Sequence, residues 1–136
     1  MNLIEEIFRN TKTIAVIGMK DDKSDAYTVP AYLNKQGYKI YPVNPTRTGK
    51  TALGEKFVDN VTQLKDKIDL VEIFRRPDFI PAHVKEILKM KPLPKYVWFQ
   101  LGIENEEAGE ELEKAGIKVI QNACMYVEHR ALAYLS

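Results

Sequence analysis

Basic side chains follow three strand-like segments of this 136-residue sequence, directly after the point where each apolar run ends. Arginine pairs bidentately with phosphate groups, and lysine supplies a point charge to the same groups. The carboxyl ends of parallel strands meet at one edge of a sheet, which is where ligands of α/β folds bind. The alternative is that these loop residues are only solvated, but three basic strand ends in register favour an anion site. The sequence therefore predicts an anion-binding edge that carries Lys20, Arg47, Lys50, Arg75 and Arg76.

The elements that would position these cations alternate along the chain. Five runs predict buried strands, over residues 13–18, 39–43, 70–74, 96–100 and 118–121, and four of them are nearly continuous in apolar and β-branched residues. Such runs are typical of strands that are covered on both faces. Between them lie amphipathic segments that predict helices over residues 2–10, 28–37, 77–90, 105–116 and 125–135. Strands that alternate with helices predict the α/β class, as a Rossmann-like, doubly wound and mostly parallel sheet with helices on both faces.

Local signals mark the ends of these helices. We expect Pro30 near the start of the helix over 28–37, Asp78 as the cap of the next helix, and Gly116 as a stop signal. The region 47–68 is less regular, and we expect a short extra strand over 53–59 and a short helix over 60–66.

Composition narrows the class of protein. With 45% hydrophobic residues, the chain can form one core, and we expect a single domain over residues 1–136. A net charge of +1 gives no general attraction to nucleic acid or to a membrane surface. The charged N-terminal segment lacks the uncharged core of a signal peptide, so we expect a cytoplasmic protein. The single cysteine, Cys124, excludes an intrachain disulfide. The two histidines are far apart in the sequence and do not have the spacing of metal ligands, so we expect no metal site.

The fingerprints of two common nucleotide sites are absent. A dinucleotide site needs G-x-G-x-x-G after the first strand, but here Gly18 stands alone and the next glycine is Gly37. The acidic residue that would bind the ribose after the second strand is replaced by Asn44 and Pro45. The phosphate-loop pattern also fails, because no second glycine precedes Lys23. The sequence thus retains a nucleotide-binding fold without the details of an NAD or phosphate-loop site.

Five segments occur in an order that resembles a known family. They are "TIAVIG", "YLNKQGYKIYPVNPT", "DLVEIFRRP", "WFQLGIENEEA" and "AGIKVIQNACMYVEH", and they extend over roughly residues 12–130. The chain resembles the small stand-alone CoA-binding domains, which are similar to the N-terminal domain of the succinyl-CoA synthetase alpha subunit. The resemblance implies that coenzyme A binds across the carboxyl ends of the strands. It does not extend to the further synthetase domain that carries a phosphorylated histidine.

The resemblance also implies a set of cofactor-binding residues. Gly18, Met19 and Lys20 match the turn that cradles phosphates, with Ser24 near the start of the following helix. The other matching segments are Val43, Asn44, Pro45 and Arg47 around the nucleotide, Arg75, Arg76 and Pro77 after the middle strand, and Gln100, Leu101 and Gly102 beside the pantetheine arm. CoA carries a phosphate on the 3′ position of its ribose, and a carboxylate beside that phosphate would repel it. The turn after the second strand, which has no carboxylate, is therefore compatible with CoA. The first loop departs from this pattern, since Asp21, Asp22 and Asp25 would repel an anion unless they point outward.

Candidate catalytic residues do not form a recognisable set. Cys124 could form a mixed disulfide with the CoA thiol, but it is better interpreted as a small apolar residue at a strand end. His83 lies among apolar helix positions, and the neighbours Glu128 and His129 point about 100° apart on a helix. We therefore expect a non-catalytic protein that binds coenzyme A or an acyl-CoA. Two alternatives stay open: an enzyme that uses NAD(P) or another nucleotide on the same fold, or an interaction subunit with a degenerate site and an unidentified protein partner.

Overall fold

The main sheet has five strands, all parallel. A computed structural model describes residues 2–135. The strands of this sheet are β1 (Thr13–Ile17), β2 (Lys39–Val43), β5 (Leu70–Ile73), β6 (Tyr96–Phe99) and β7 (Lys118–Ile120). Each of them lies within one of the five predicted runs, so the predicted α/β fold with a parallel sheet is confirmed.

Helices cover both faces of the sheet. They are α1 (Leu3–Asn10), α2 (Asp25–Lys35), α3 (Ile80–Ile87), α4 (Glu106–Lys114) and α5 (Met125–Leu135). Alternate strand residues point to opposite faces, and each face has its own apolar layer. Residues of α1, α2 and α5 pack with Ile14, Val16 and Trp98, whereas residues of α3 and α4 pack with the opposite face. None of the helices in residues 2–135 is long and apolar enough to cross a membrane.

The irregular region contains a small ribbon. Strands β3 (Thr51–Ala52) and β4 (Glu55–Lys56) pair antiparallel, so the single extra strand expected over 53–59 is a two-stranded hairpin. The expected short helix is one 3₁₀ turn over Val61–Gln63, where Asn60 and Gln63 form a capping box. Val58 continues the ribbon to the main sheet through a bridge to Val43 at the end of β2.

The strand order defines where a ligand can enter. The order is β2-β1-β5-β6-β7, so the chain moves outward from β1 in one direction first and then in the other. In doubly wound sheets the ligand binds at the carboxyl ends of the two strands between which the direction reverses. Here those strands are β1 and β5, and the segments that leave them begin at Gly18 and Phe74.

Helix α2 begins earlier than its sequence pattern predicts. It starts at Asp25 with Ser24 as N-cap, so Pro30 lies inside the helix and not near its start. A proline has no N–H group and leaves the carbonyl four residues earlier without its helical partner. That carbonyl belongs to Ala26, and it accepts a hydrogen bond of 3.2 Å from the N–H of Lys20. The proline is tolerated because the first loop supplies the missing donor.

Asp78 does not cap helix α3, in contrast to the sequence-based expectation. Pro77 opens a 3₁₀ turn over Pro77–Phe79, and α3 follows from Ile80 without a side-chain cap. The fixed φ of proline favours the first position of such a turn. The N–H of Phe79 then bonds to the carbonyl of Arg76 at 3.0 Å, and Asp78 lies within the turn. At the other predicted boundary, α4 ends as expected before Gly116, which has a φ of 90°.

One carboxyl group is buried in the middle of the sheet. Glu72 on β5 is 0% exposed, and neither of its carboxyl oxygens has a hydrogen-bond partner within residues 2–135. It lies between Val16 and Trp98 in the strand register. Burial disfavours the charged form and raises the pKa of Glu72 to about 8. The carboxyl is therefore mostly protonated at pH 7.

Candidate functional site

A cleft of about 560 Å³ opens at the carboxyl ends of β1, β5 and β6. Its volume lies within the range of small-molecule sites, roughly 300–1,000 Å³. The lining residues come from the first loop and the start of α2, from the loops after β5 and β6, and from the segment before α5. They are Lys20, Ser24, Asp25, Ala26, Phe74, Arg75, Arg76, Pro77, Gln100, Leu101, Gly102, Ile103 and Cys124.

Gly18 brings the first two of these loops together. It has a φ of 81°, and a Cβ atom at this position would lie only 2.3 Å from the carbonyl oxygen of Phe74. The N–H of Gly18 bonds to the carbonyl of Val43 at 2.8 Å. The glycine thus lets the backbones after β1 and β5 approach each other at the point where the strand order reverses. This close packing is a requirement of the fold, separate from the phosphate contact that the resemblance implies.

The charge of the cleft is mainly positive. Three basic side chains line it, those of Lys20, Arg75 and Arg76, against the single carboxylate of Asp25. Arg75 is half-buried, and its guanidinium carbon lies 4.1 Å from the centre of the Phe79 ring. Such a cation–π contact orients the side chain while leaving its N–H groups at the edge of the plane. The arrangement favours anionic ligands.

Gln100 connects the cleft to helix α5. It is 6% exposed, and its Oε1 accepts a hydrogen bond of 3.3 Å from the N–H of Met125, the first residue of α5. This bond leaves the amide donors of Gln100 for a ligand. Leu101 follows it and is 66% exposed, so the cleft also has an apolar rim. A polar donor beside exposed apolar surface suits an elongated ligand with amide groups.

Eight of the fourteen residues implied by the resemblance line this cleft, and six do not. Among the six, the side chains of Met19, Val43 and Asn44 are buried. Asn44 donates from Nδ2 to the carbonyl of Met19 at 2.9 Å, and its Oδ1 accepts from the N–H of Thr46 at 2.9 Å. Asn44 therefore ties the first loop to the end of β2. The remaining three are Gly18, Pro45 and Arg47, and a role in ligand binding for all six stays a prediction.

Two of the three carboxylates in the first loop already have partners. Asp21 Oδ1 lies 2.8 Å from Nε of Arg47, and its Oδ2 lies 3.7 Å from Nζ of Lys50. Asp22 Oδ1 accepts a hydrogen bond of 2.9 Å from the N–H of Ser24. The hydrogen bond from Arg47, with a smaller contribution from the charge of Lys50, holds the pKa of Asp21 below its usual value. Only Asp25 faces the cleft.

The two histidines lie away from the cleft. His83 Nδ1 is 2.9 Å from Oε1 of Glu86 within α3. His129 Nδ1 is 2.8 Å from the hydroxyl of Tyr32, and burial lowers the pKa of His129. Both form local contacts on the outer layers of the fold. Within residues 2–135, no cluster of histidine, cysteine and carboxylate groups could hold a metal ion.

Several lining residues were missed by sequence reasoning. Phe74 directly precedes the predicted arginine pair and Ile103 directly follows Gly102, so extending each predicted loop by one residue finds both. Ala26 is on the first turn of α2, which the sequence placed later. Cys124, which the sequence places at the end of the last strand, also lines the cleft. Away from the cleft, the sequence also shows a carboxylate, that of Glu72, in the middle of a predicted buried strand.

Fold and cleft together define a Rossmann-like protein with a positively charged cleft at the point where its strand order reverses. The chain belongs to the CoA binding domain family, whose model matches residues 12–130. It is 38% identical over 128 residues to the uncharacterized protein YneT of Bacillus subtilis (strain 168), covering 93% of this chain and 91% of that protein.

Solved structures have the same fold. The cell-free ID.343 protein from Thermus thermophilus superimposes with a TM-score of 0.92 at 38% identity, covering 97% of this chain and 99% of the other. A dinucleotide-forming acetyl-coenzyme A synthetase 1 of Ca. Korarchaeum cryptofilum, solved with phosphate and ADP, has a TM-score of 0.65 at 26% identity. That match covers 90% of this chain and 28% of the synthetase. The family and the similarity to a synthetase domain agree with the resemblance found in the sequence.

Proposed function

We propose that this protein binds coenzyme A or an acyl-CoA in the cleft without catalysing a reaction on it. One observation carries the proposal: a chain of the CoA binding domain family has Lys20, Arg75 and Arg76 around a cleft at the reversal of its strand order. The pyrophosphate would lie at the start of α2, because the first N–H groups of a helix lack helical partners and attract anions. The two loop arginines would supply bidentate contacts to the phosphates.

The pantetheine arm would run along the loop after β6. Its amide groups would accept hydrogen bonds from the side-chain amide of Gln100. Its methylene groups would pack against the exposed side chain of Leu101. The arm would then end near Cys124. Neither histidine lies at the cleft, so the thiol or acyl end of the ligand would meet no histidine that could act as a general base. This arrangement supports a role in binding, storing or presenting the cofactor.

Calorimetric titration of CoA tests the binding, with NAD and ATP as the competing ligand classes. We expect saturable binding of CoA that is at least about tenfold tighter than that of NAD, a difference of about 1.4 kcal/mol. Arg75→Ala should weaken CoA binding about tenfold or more, because a charge-assisted bond to phosphate is lost. Arg9→Ala removes an exposed arginine from α1 and serves as the matched control with unchanged affinity. Tighter binding of NAD would contradict the proposal.

The absence of catalysis needs its own measurement. Acetyl-CoA incubated with the protein should release free thiol no faster than it does in buffer. Release that rises with protein concentration would make the chain an enzyme. If neither CoA nor NAD nor ATP binds to the folded protein, the interaction-subunit alternative replaces the proposal.

A further inference from the structure

Lysines stand at the amino ends of the strands of the main sheet, on the edge opposite the cleft. Lys39 and Lys118 are the first residues of β2 and β7. Lys12 and Lys95 directly precede β1 and β6, and Lys67 lies three positions before β5. The N–H of Lys39 bonds to the carbonyl of Lys12 at 2.9 Å. The N–H of Lys118 bonds to the carbonyl of Lys95 at 3.1 Å. The parallel strands therefore place these five lysines, which we name the lysine edge, in one row.

The lysine edge forms an extended surface. All five residues are exposed, and the carbonyl of Lys67 accepts a hydrogen bond of 2.8 Å from Oγ1 of Thr13, which fixes this segment beside β1. Neighbouring strands lie about 4.8 Å apart, so the row extends over about 19 Å. A cavity of about 200 Å³ opens between the segments that lead into β5 and β6, and Lys89 and Lys91 line it together with one carboxylate, that of Asp66. The edge is thus broader than a site for a single anion.

Three carboxylates neutralise part of the charge at this edge. The Nζ atoms of Lys39, Lys95 and Lys118 lie 4.0, 3.8 and 2.9 Å from carboxylate oxygens of Asp66, Asp69 and Glu6, respectively. Within residues 2–135, no carboxylate lies within 4 Å of the other two lysines of the edge or of Lys89 and Lys91. The last turns of the four helices that lead toward this edge carry four cations and three carboxylates, which changes the balance little. The edge therefore has an excess of positive charge, although the whole chain has a net charge of only +1.

A phosphate backbone complements this surface. Lysine contacts phosphate as a flexible point charge, so it does not require a fixed orientation of the phosphate group. A nucleic-acid duplex carries one negative charge per about 1.7 Å of its axis, so about 19 Å of duplex presents roughly eleven charges. The row contains no arginine, the residue whose bidentate bonds to guanine are the commonest specific base contact. We propose that the lysine edge binds a duplex nucleic acid through its phosphates, independently of base sequence.

Other partners fit the lysine edge less well. The centres of protein interfaces are rich in tryptophan, tyrosine and arginine and poor in lysine. Single strands stack their bases on aromatic side chains, and membrane surfaces hold apolar side chains beside the cations. The large apolar side chains that are exposed in residues 2–135 are Phe79, Leu101, Val127, Tyr134 and Leu135. None of these belongs to a segment that leads into a strand.

The inference goes beyond the proposed function and does not depend on it. The cleft lies at the carboxyl ends of the strands and the lysine edge at their amino ends, so a ligand in the cleft and a duplex at the edge can be bound together.

Fluorescence anisotropy of a labelled DNA duplex of about 20 base pairs, titrated with the full chain at several salt concentrations, tests the inference. The logarithm of the affinity should fall linearly with the logarithm of the salt concentration, with a slope of about −3 to −5. A second duplex of unrelated sequence should bind within about twofold of the first. Lys67→Gln should weaken both and reduce the size of the slope by about 1. Lys23→Gln removes the same charge from the exposed first loop, at the other edge of the sheet, and is the matched control with an unchanged slope.

Lys12→Gln is a second variant at the edge and guards against a folding defect in the first, so it should reduce the slope by a similar amount. Slopes equal to that of the native protein in both edge variants overturn the inference. An equal reduction in Lys23→Gln overturns it too, since the effect would then be one of overall charge. Displacement of the duplex by saturating CoA would place the duplex in the cleft and also overturn it. No binding of the duplex at about 50 mM salt overturns the inference as well, and binding of phosphatidylserine vesicles in that case would assign the edge to a membrane surface. None of these outcomes affects the proposed function, which the titration of CoA tests separately.

Discussion

Replacing Glu72 by glutamine should change the pH dependence of stability more than any exposed substitution. Glutamine has nearly the same shape and stays neutral, so the variant isolates the ionisation of one buried group. Burial raises the pKa of Glu72 from its ordinary value of 4.5 to about 8. In the unfolded chain the carboxyl loses its proton near pH 4.5, whereas in the folded protein it keeps the proton up to about pH 8. Stability therefore falls as the pH rises through this window, because the folded state binds more protons.

The magnitude follows from the two pKa values of Glu72, 4.5 and about 8. Each tenfold change in proton affinity corresponds to about 1.4 kcal/mol, so the full window corresponds to about 5 kcal/mol. Between pH 5 and pH 9 the native protein should lose up to about 4 kcal/mol relative to Glu72→Gln. Such a loss is a large part of the stability of a typical domain, roughly 5–15 kcal/mol.

Urea denaturation at several pH values between 5 and 9 measures this difference. The free energy of unfolding should be similar for the native protein and Glu72→Gln near pH 5, and the variant should be clearly more stable near pH 9. Glu110→Gln, on the exposed side of α4, is the matched control and should stay within about 0.5 kcal/mol of the native protein throughout. Parallel pH profiles for the native protein and Glu72→Gln would refute the argument, since they would mean that the buried carboxyl finds a partner or water.

Two further substitutions test how the loops at the cleft are held together. Gly18→Ala should destabilise the protein by about 2–4 kcal/mol, because the new Cβ would collide with the Phe74 carbonyl at a positive φ. Thermal unfolding measures the loss, and Gly37→Ala, at a positive φ in open space, should cost clearly less; equal costs would refute the close approach. Asn44→Ala should cost about 2 kcal/mol in urea denaturation, since it leaves the buried Met19 carbonyl and the turn after β2 without their partner. A loss below about 0.5 kcal/mol would show that water replaces the amide.

The sequence was sufficient to predict the main sheet because four of its five strands are largely buried on both faces. Runs such as "TIAVI" and "YVWF" are nearly continuous in apolar residues, and each observed strand of the sheet lies inside a predicted one. Helix starts were harder to predict, because they depend on partners outside the helix. In α2 the N–H of Lys20 donates to the Ala26 carbonyl that Pro30 leaves free, a bond that the local pattern does not reveal.

Site residues were predictable where the strand ends themselves form the cleft. The residues that line the cleft include three that lie within three positions of the end of a strand, namely Arg75, Arg76 and Gln100. Asn44 and Arg47 also follow a strand, but their side chains are engaged by Met19 and Asp21 from the neighbouring loop. These partners are more than twenty residues away in sequence. A contact between side chains so far apart leaves no periodic pattern in the sequence from which it could be predicted.

The proline inside α2 has a consequence for how the cleft meets its ligand. Because Pro30 frees the carbonyl of Ala26, and the N–H of Lys20 donates to it, a bond within the protein itself fastens the first loop to the helix. A loop that is ordered in advance loses little conformational freedom when an anion arrives, so less of the binding free energy is spent on ordering it. The proline, normally a defect in a helix, here preorganises the loop that the ligand would contact.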